Sequence, residues 1–232
     1  MAIVKILDGV YQISSGYVNS FIVDGDEGVC LVDTLVPKKE GVIEAGLKEI
    51  GRSLTDVAAI LLTHSHSDHS GSAAAVKSVS NADVYASAAD APAIRREVKP
   101  PAPPTPWYVS LPFLLMPLLP AQPATEVDHL VAETGGAALP GDLRAVDTPG
   151  HTPGHTSFLL DRAGGVLFVG DAAKAAKDGS VVRGYFNRST PLIDRSLVHI
   201  AEMEFAIAAF GHSDPIRSQA SAAFRRFTAT FA

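Results

Sequence analysis

Short apolar stretches, separated by turn residues, fill the first third of the chain. Four of them come in succession, at residues 3–7, 10–13, 18–23 and 29–32. They are rich in β-branched side chains, and dipeptides such as Asp8-Gly9 and Asp24-Gly25 separate them. β-branched runs bounded by Gly and Asp are typical of strands joined by tight turns. The pattern therefore predicts an antiparallel meander of four strands.

The rest of the chain alternates helix-like and strand-like segments. Apolar spacing and end signals predict helices at 37–50, 70–79, 88–98, 192–203 and from 217 onward. Strands are predicted at 57–62, 83–86, 126–132, 142–146, 156–160, 166–169 and 206–210. Because strands followed by a helix occur in each half, we expect a layered α/β or α+β fold. A length of 232 residues suits one large domain, residues 1–232.

Residues 99–123 interrupt this alternation. The segment holds nine prolines and many apolar side chains, which excludes a regular helix or a central strand. An irregular segment of this length usually has a function. Our preferred hypothesis is a wall over an apolar substrate pocket, with Trp107, Tyr108 and Phe113 as candidate contacts. The alternatives are the cover of a homodimer interface and packing across the domain's own core.

Composition and charge narrow the classes of function. The net charge of −6 opposes a primary role on nucleic acid. A single cysteine, Cys30, excludes an intramolecular disulfide framework and a cysteine-rich zinc module, and it is expected to be a buried small hydrophobe. The sequence has no apolar run long enough to span a membrane and no signal pattern at its start, so a cytoplasmic protein is expected.

The segment 64–69 carries the strongest chemical signal. It reads His64-Ser65-His66-Ser67-Asp68-His69 and directly follows the strand predicted at 57–62. In an extended segment alternate side chains point to one side, so His64 and His66 can reach the same ion. Asp68 and His69 then turn toward a neighbouring position where a second ion could sit.

Three further metal-ligand types follow apolar strands, each after a glycine. They are His151 after Gly150, Asp171 after Gly170 and His212 after Gly211. We predict one site made of His64, His66 and His151, and a second made of Asp68, His69 and His212, with Asp171 as a bridge. Nitrogen and oxygen donors without thiolate suit Zn²⁺, Fe²⁺ or Mn²⁺, and the many imidazoles favour zinc.

Other polar residues near these motifs are candidates for supporting roles. Asp33 ends an apolar strand, so it either orients the metal loop or forms a turn. His155 is predicted to make a hydrogen bond within its loop, as a support for the ligands. The segment 174–195 follows the bridging position, so Lys174 and Tyr185 are candidates to bind an anionic group of a substrate, although most of its charges are expected to be solvated.

Taken in order, these motifs resemble those of the metallo-β-lactamase-fold hydrolases. The match consists of His64-x-His66-x-Asp68-His69, the segment Thr148 to His155, Gly170-Asp171 and Gly211-His212. It extends over about residues 10–212. The resemblance implies a four-layer αββα sandwich with a two-metal site in a shallow groove at one edge.

A pair of zinc ions would make a serine, cysteine or threonine nucleophile unnecessary. A zinc ion lowers the pKa of its bound water to about 7, and a second ion stabilises the developing oxyanion. Hydroxide held between the ions would attack a carbonyl carbon of a small-molecule substrate. Asp68 or Asp171 would pass the proton to the leaving group.

Departures from the family's branches narrow the substrate. Asp171 occupies a position that exported zinc β-lactamases leave without aspartate, so antibiotic hydrolysis is disfavoured. Only 20 residues follow His212, which is less than the helical extension of glyoxalase II-like thioesterases requires. The lactonases place a tyrosine where this chain has Lys174. The RNA-processing branch needs a basic arm that is not evident here. The full ligand set is nevertheless the one that the lactonases carry. We therefore expect a small carbonyl substrate such as a lactone, ester or thioester.

Two other classes of function stay open at this point. One is a mononuclear iron dioxygenase of the same fold, which oxidises persulfides and would use His66, His151 and Asp171. The other is a binding module that has kept the fold without catalysis. Metal analysis separates the hydrolase from the dioxygenase, since two zinc ions per chain support hydrolysis and one iron supports oxidation.

Overall fold

The computed structural model describes residues 3–99, 122–131 and 139–231. Its largest sheet has seven strands in the order β1-β2-β3-β4-β5-β6-β7. Their bounds are β1 Ile3–Leu7, β2 Val10–Ser15, β3 Val18–Gly25, β4 Gly28–Val32, β5 Val57–Leu61, β6 Asp83–Ser87 and β7 His129–Val131. The first four strands pair antiparallel, as predicted, and β4 to β7 pair parallel.

A second sheet of five strands comes from the other half of the chain. Its strands are β8 Leu143–Asp147, β9 Thr156–Leu160, β10 Val166–Gly170, β13 Ile207–Phe210 and β14 Ser213–Ile216. They lie in the order β14-β13-β10-β9-β8, and the pair β10–β13 is parallel. Between β10 and β13 the chain forms a small antiparallel hairpin of β11 Ala173–Ala175 and β12 Val181–Arg183.

Helices cover the outer face of each sheet. The helices are α1 Glu40–Glu49, α2 Ala73–Ser80, α3 Ala91–Ile94, α4 Thr190–Glu202 and α5 Ala220–Thr228. Buried side chains of α1, α2 and α3 pack on the seven-stranded sheet, and those of α4 and α5 pack on the five-stranded sheet. A third buried cluster lies between the two sheets. The layers therefore follow the predicted αββα order.

The strands are apolar on both faces because both faces are covered. In β3, Ile22 packs toward the helices, whereas Phe21 and Val23 pack toward the second sheet. Phe21 and Phe168 meet between the sheets with ring centroids 5.2 Å apart. Strands buried on two sides carry near-continuous apolar runs, which is the pattern that the sequence shows. Cys30 is 2% exposed in this inner layer, as expected.

Several predicted boundaries were wrong. The helix predicted at 88–98 is the single turn α3, because Arg96 adopts a left-handed φ of 63° that ends it. The helix predicted at 70–79 begins only at Ala73, and the strand predicted at 126–132 is the shorter β7. The segment 174–195 was not expected to contain strands, yet it holds most of the β11–β12 hairpin and the first turn of α4.

Two remaining expectations concern the segment 99–123 and membrane-spanning helices. Most of the segment 99–123, including Trp107, Tyr108 and Phe113, lies outside the described residues, so its predicted role stays a prediction. The longest described helix, α4, has 13 residues, and none of the described helices has the length and apolar character of a membrane span.

Candidate metal centre

The predicted ligands all follow the carboxyl ends of strands. The 64–69 segment follows β5, His151 follows β8, Asp171 follows β10 and His212 follows β13. β10 and β13 are parallel neighbours, so Asp171 and His212 emerge from the same edge of their sheet. The structure brings all seven predicted ligands together at this edge. They form two ligand groups, with Asp171 between them.

The first ligand group contains His64, His66 and His151. The Nδ1 atom of His66 lies 3.1 Å from Nε2 of His64 and 2.9 Å from Nε2 of His151. His64 and His151 are buried, and His66 is partly exposed. Three imidazole nitrogens thus converge on one point at the floor of the site.

The second ligand group contains Asp68, His69 and His212. Nε2 of His212 lies 3.2 Å from Nε2 of His69 and 3.5 Å from Oδ2 of Asp68. His69 is fully buried, whereas the side chains of His212 and Asp68 are about a quarter exposed. The second group is therefore the more open of the two.

Asp171 lies between the two groups and contacts both. Its Oδ1 atom is 3.3 Å from Nε2 of His69, and its Oδ2 atom is 3.1 Å from Nε2 of His212 and 3.5 Å from Nε2 of His151. One carboxylate thus contacts histidines of both groups, its Oδ2 atom reaching His212 and His151 and its Oδ1 atom reaching His69. Only a glycine at position 211 permits this, because a Cβ there would lie 2.4 Å from Oδ1 of Asp171 and 2.6 Å from Cε1 of His69.

The donor set fits divalent cations. Tetrahedral ligands about 2.0–2.1 Å from a zinc ion lie about 3.3–3.4 Å from one another, close to the separations above. The buried Oδ1 of Asp171 accepts no hydrogen bond from the part of the chain that the structure describes. An acceptor left without a donor among converging imidazole lone pairs is what a cation would satisfy.

Hydrogen bonds behind the imidazoles fix which nitrogen faces the site. Nδ1–H of His151 donates to the carbonyl of Tyr185 at 3.0 Å, and Nδ1–H of His212 donates to the carbonyl of Tyr17 at 2.8 Å. A carbonyl only accepts, so the proton is on Nδ1 in both residues. The Nε2 atom of each ring is thereby aimed into the site, as metal-ligating histidines require.

Asp33 fixes two more of the histidines from beneath. It accepts hydrogen bonds from the backbone N–H and hydroxyl of Thr63 and from Nδ1–H of His69, the last at 2.7 Å. Since the Thr63 hydroxyl donates to Asp33, its oxygen accepts from Nδ1–H of His64 at 3.0 Å. Asp33, 1% exposed, thus orients one histidine of each group.

His155 supports Asp171 and does not face the ligand groups. Its Nε2 accepts the backbone N–H of Asp171 at 3.0 Å, and its Nδ1–H donates to Oγ1 of Thr148 at 2.8 Å. Both ring nitrogens are therefore engaged with neighbouring residues. The structure places His155 in the supporting position that its sequence context indicated.

The pKa values follow from burial and from the two carboxylates. Burial lowers the pKa of His151 to about 3 and that of His155 to about 3, and burial together with neighbouring imidazoles holds the pKa of His64 well below its usual value. Burial also lowers the pKa of His69, but Asp171 and Asp33 outweigh it and raise that pKa well above the usual value. His64 and His151 are therefore neutral at pH 7, the form that binds metal.

The same interaction holds Asp171 in its anionic form. Burial raises the pKa of Asp171, but the charge of His69 and the hydrogen bond of His212 outweigh it and hold the pKa well below the usual value. His212 is affected in the opposite direction, since hydrogen bonding to Asp171 overcomes burial and raises its pKa.

Asp90 is a buried residue at this site that the sequence did not reveal. It follows β6, is 1% exposed, and accepts backbone N–H groups from Ser65 and Gly154. An aspartate before a short helix is usually a cap, so no local pattern distinguishes it. Its partners are backbone groups far away in sequence, which only the fold brings near.

Two of the candidate substrate contacts, Lys174 and Tyr185, are among the described residues. Nζ of Lys174 sits 3.5 Å above the ring centroid of Tyr185, whose carbonyl holds His151. Tyr185 is 63% exposed. On the other side, a groove of about 640 Å³ adjoins His212 and is lined by residues that include Tyr17 and Lys177. The Tyr17 ring stacks on the His212 ring with centroids 5.6 Å apart.

Comparisons with known proteins show what this chain is similar to. The family model described as the metallo-beta-lactamase superfamily matches residues 14–212. The probable metallo-hydrolase YflN of Bacillus subtilis (strain 168) is 29% identical over 201 residues, which are 80% of this chain and 75% of that protein. A hydroxyacylglutathione hydrolase of Halorhodospira halophila is 29% identical over 175 residues, 72% of this chain but 50% of its own length. A metallo-beta-lactamase family protein from Thermus thermophilus, known as a crystal structure, is 27% identical and superposes with a TM-score of 0.71 over 98% of this chain and 80% of that chain.

Proposed function

Since the chain belongs to the metallo-beta-lactamase superfamily, we propose that it hydrolyses a small carbonyl substrate, namely a lactone, ester or thioester, with a pair of divalent metal ions. The observation that carries this proposal is the position of Asp171, whose two carboxylate oxygens contact histidines of both ligand groups. A complete second group supports two ions over the single iron of the dioxygenase alternative.

The residues divide the metal-binding task between the two groups. His64, His66 and His151 would hold one ion, and Asp68, His69 and His212 would hold the other, with Asp171 between them. When bound, such ions lower the pKa of water and stabilise negative charge that develops on a carbonyl oxygen. Imidazole and carboxylate donors favour zinc, and Fe²⁺ or Mn²⁺ also suits them.

The protein's own contribution is preorganisation. Tyr17, Asp33 and Tyr185 orient the imidazoles through hydrogen bonds. The Nε2 atoms of His69, His151 and His212 therefore already face the site before any ion arrives. Less reorganisation is then needed on binding and during the reaction.

Proton transfer to the leaving group is assigned to Asp68. Of the two carboxylates among the ligands, the Asp68 side chain is 24% exposed and the Asp171 side chain 10%. Asp68 lies on the open side of the site, where a substrate and its leaving group would enter. A proton carrier has to be within hydrogen-bond reach of the group it serves, and Asp68 satisfies this better than the buried Asp171.

Substrate recognition is assigned to the surfaces on either side of the ligand groups. The exposed Tyr185 ring and the Lys174 ammonium offer an apolar face and a positive charge, which suit a substrate that carries an anionic group. The groove beside His212 gives room for the remainder of the substrate. The relative that acts as a hydroxyacylglutathione hydrolase makes a thioester one of the candidates, although this chain spans half of its length.

Metal analysis followed by a substrate screen tests the proposal. Protein freshly isolated without added metal is expected to contain two zinc ions per chain and to hydrolyse members of a panel of lactones, thioesters and aryl esters. One iron per chain with consumption of a persulfide would overturn the proposal in favour of the dioxygenase. Full metal loading without turnover of any member of the panel would favour a binding module.

A further inference from the structure

We propose that Asp90 is a positioning residue that sets the distance between the two loops of the first ligand group. Its Oδ2 atom accepts the backbone N–H of Ser65 at 2.8 Å, and its Oδ1 atom accepts that of Gly154 at 2.9 Å. Ser65 lies between His64 and His66, and Gly154 lies in the loop of His151. One carboxylate thus joins the loops that carry all three histidines of that group. The inference rests on the proposed metal centre.

The burial of this carboxylate argues against a merely incidental contact. Asp90 is 1% exposed, and no lysine, arginine or histidine pairs with it in an ion pair over residues 3–99, 122–131 and 139–231. Removing a carboxylate from water costs several kcal/mol unless strong partners compensate. Here the compensation comes from two charge-assisted bonds to backbone N–H groups. The bonds are strongest when both loops stand at one defined separation.

The surroundings of Asp90 leave little room for the loops to drift. A Cβ at Gly154 would lie 2.0 Å from Oγ of Ser87 and 2.8 Å from Oδ1 of Asp90, so the 151–155 loop packs directly on this turn. The backbone N–H of Asp90 donates to Oγ of Ser87, the last residue of β6, at 3.2 Å. A rigid strand end therefore carries the carboxylate that holds both loops.

The second ligand group is held by other means. His69 is oriented by Asp33, and His212 by the carbonyl of Tyr17. The hydrogen bonds that the structure describes for the Asp90 side chain go to Ser65 and Gly154 and to none of the second-group ligands. Removing the Asp90 carboxylate is therefore expected to weaken the first site selectively, which a general loss of stability would not do.

The test measures zinc affinity one site at a time in the full chain. Zn²⁺ is titrated calorimetrically into metal-free His212→Ala, which keeps the first group complete, and into metal-free His151→Ala, which keeps the second. Asp90→Asn is then added to each. The amide has one acceptor oxygen, so one of the two loop bonds is lost. We expect zinc affinity to fall about 10–100-fold in the His212→Ala protein and to stay unchanged in the His151→Ala protein.

Two further variants keep the test interpretable. Asp128→Asn is the matched control, because Oδ2 of Asp128 accepts the backbone N–H of Val84 on β6 at 2.7 Å, away from the metal loops, and it should leave both affinities unchanged. Ser87→Ala is a milder change at the same turn, and a smaller loss confined to the first site is expected. Equal weakening of both sites, or none, in the Asp90→Asn and Ser87→Ala proteins would overturn the inference. Failure of the unsubstituted protein to bind Zn²⁺ would instead refute the proposed function.

Discussion

Each imidazole that meets Asp171 uses its second nitrogen to bond to the protein. His69 is held by a carboxylate, and His151 and His212 are held by backbone carbonyls. An imidazole that is hydrogen-bonded to a carboxylate is a stronger metal ligand than one that is hydrogen-bonded to a carbonyl. The two groups are therefore chemically unequal, and Asp171 contacts ligands of both.

Removing Asp171 should disable both metal positions. In Asp171→Ala we expect zinc content to fall from two ions per chain to one or fewer and hydrolysis to fall by more than about a hundredfold, because a ligand matters more than its supports. In His151→Ala the first ion should be lost and hydrolysis abolished. Elemental analysis and turnover of the best substrate provide the measurements. His129→Ala, at a half-exposed histidine paired with Asp83, is the control and should retain both. Full activity in either variant would contradict the assignment.

Replacing Asp33 by asparagine should weaken both sites together. The amide cannot accept all three hydrogen bonds from Thr63 and His69, so the orientation of His69 and, through Thr63, of His64 is relaxed. We expect each of the two zinc affinities to fall by about 10–100-fold in a calorimetric titration. A loss limited to one site would show that Asp33 does not act through Thr63.

At the residue scale, spacing predicted side chains that meet but not the groups that hold them. The seven ligand candidates were predictable because each is a metal-ligand type placed just after an apolar run. His155 was correctly expected to bond within its own loop, since Thr148 lies seven residues away. Asp90 was not predictable, because its partners are backbone N–H groups 25 and 64 residues away.

At the element scale, the site depends on how closely loops approach helices. Gly150 has a φ of +138°, and a Cβ there would lie 2.4 Å from the backbone nitrogen of Ile193 in α4. The backbone N–H of Ser189 donates to the Gly150 carbonyl at 2.9 Å, and Oγ of Ser196 donates to that of Pro149 at 2.8 Å. The start of α4 is thus bonded to the loop that presents His151.

Gly150→Ala should therefore destabilise the fold and disturb the first ligand group. The methyl group must displace α4, which costs about 1–3 kcal/mol in the free energy of unfolding, in addition to the cost of the unfavourable φ. Gly179→Ala isolates the cost of the unfavourable φ, because Gly179 also has a positive φ of 79° but no neighbouring atom within 4 Å. Urea unfolding should show a larger loss for Gly150→Ala, and zinc titration a weaker first site in that variant alone. Equal losses would indicate that the contact with α4 yields at no cost.

Sequence patterns predicted long elements better than short ones. Strands of five or more residues were found close to their expected places because burial on both faces requires apolar runs there. β11, β12 and β14 have three or four residues each, and their polar and small side chains give no periodic signal. β14 even contains Pro215, which an edge strand tolerates and a central strand does not.

At the scale of the whole molecule, the ligands join the two halves of the sandwich. His64, His66, Asp68 and His69 follow a strand of the seven-stranded sheet, and His151, Asp171 and His212 follow strands of the other. Metal ions bound between these side chains would link the two sheets, so metal binding is coupled to folding. The order of strands in each sheet, which creates this meeting point, could not be predicted from spacing, and the resemblance of the motifs implied only the four layers.

The buried histidines also make the stability of the metal-free protein depend on pH. His151 and His155, each with a pKa of about 3, and His64, with a strongly lowered pKa, stay neutral when folded, whereas unfolded histidine binds a proton below about pH 6.5. The unfolded state therefore binds more protons between about pH 6.5 and the folded pKa values. As the pH is lowered through that window, the free energy of unfolding should fall by up to about 1.4 kcal/mol per pH unit for each histidine. His69 and His212, whose pKa values are raised, contribute their full stabilisation below about pH 6.5, so they do not alter this slope.

Urea unfolding of the metal-free chain between about pH 6 and pH 4.5 measures this slope directly, because Asp171, with its lowered pKa, loses its stabilising contribution only below about pH 3.9. In His151→Ala one of the three histidines is absent, so the slope should decrease by about 1.4 kcal/mol per pH unit. A metal-free protein whose stability is constant or rises on acidification would mean that these imidazoles are already charged in the folded state. Neutral ligands in the first group, on which the proposed metal centre depends, would then be lost.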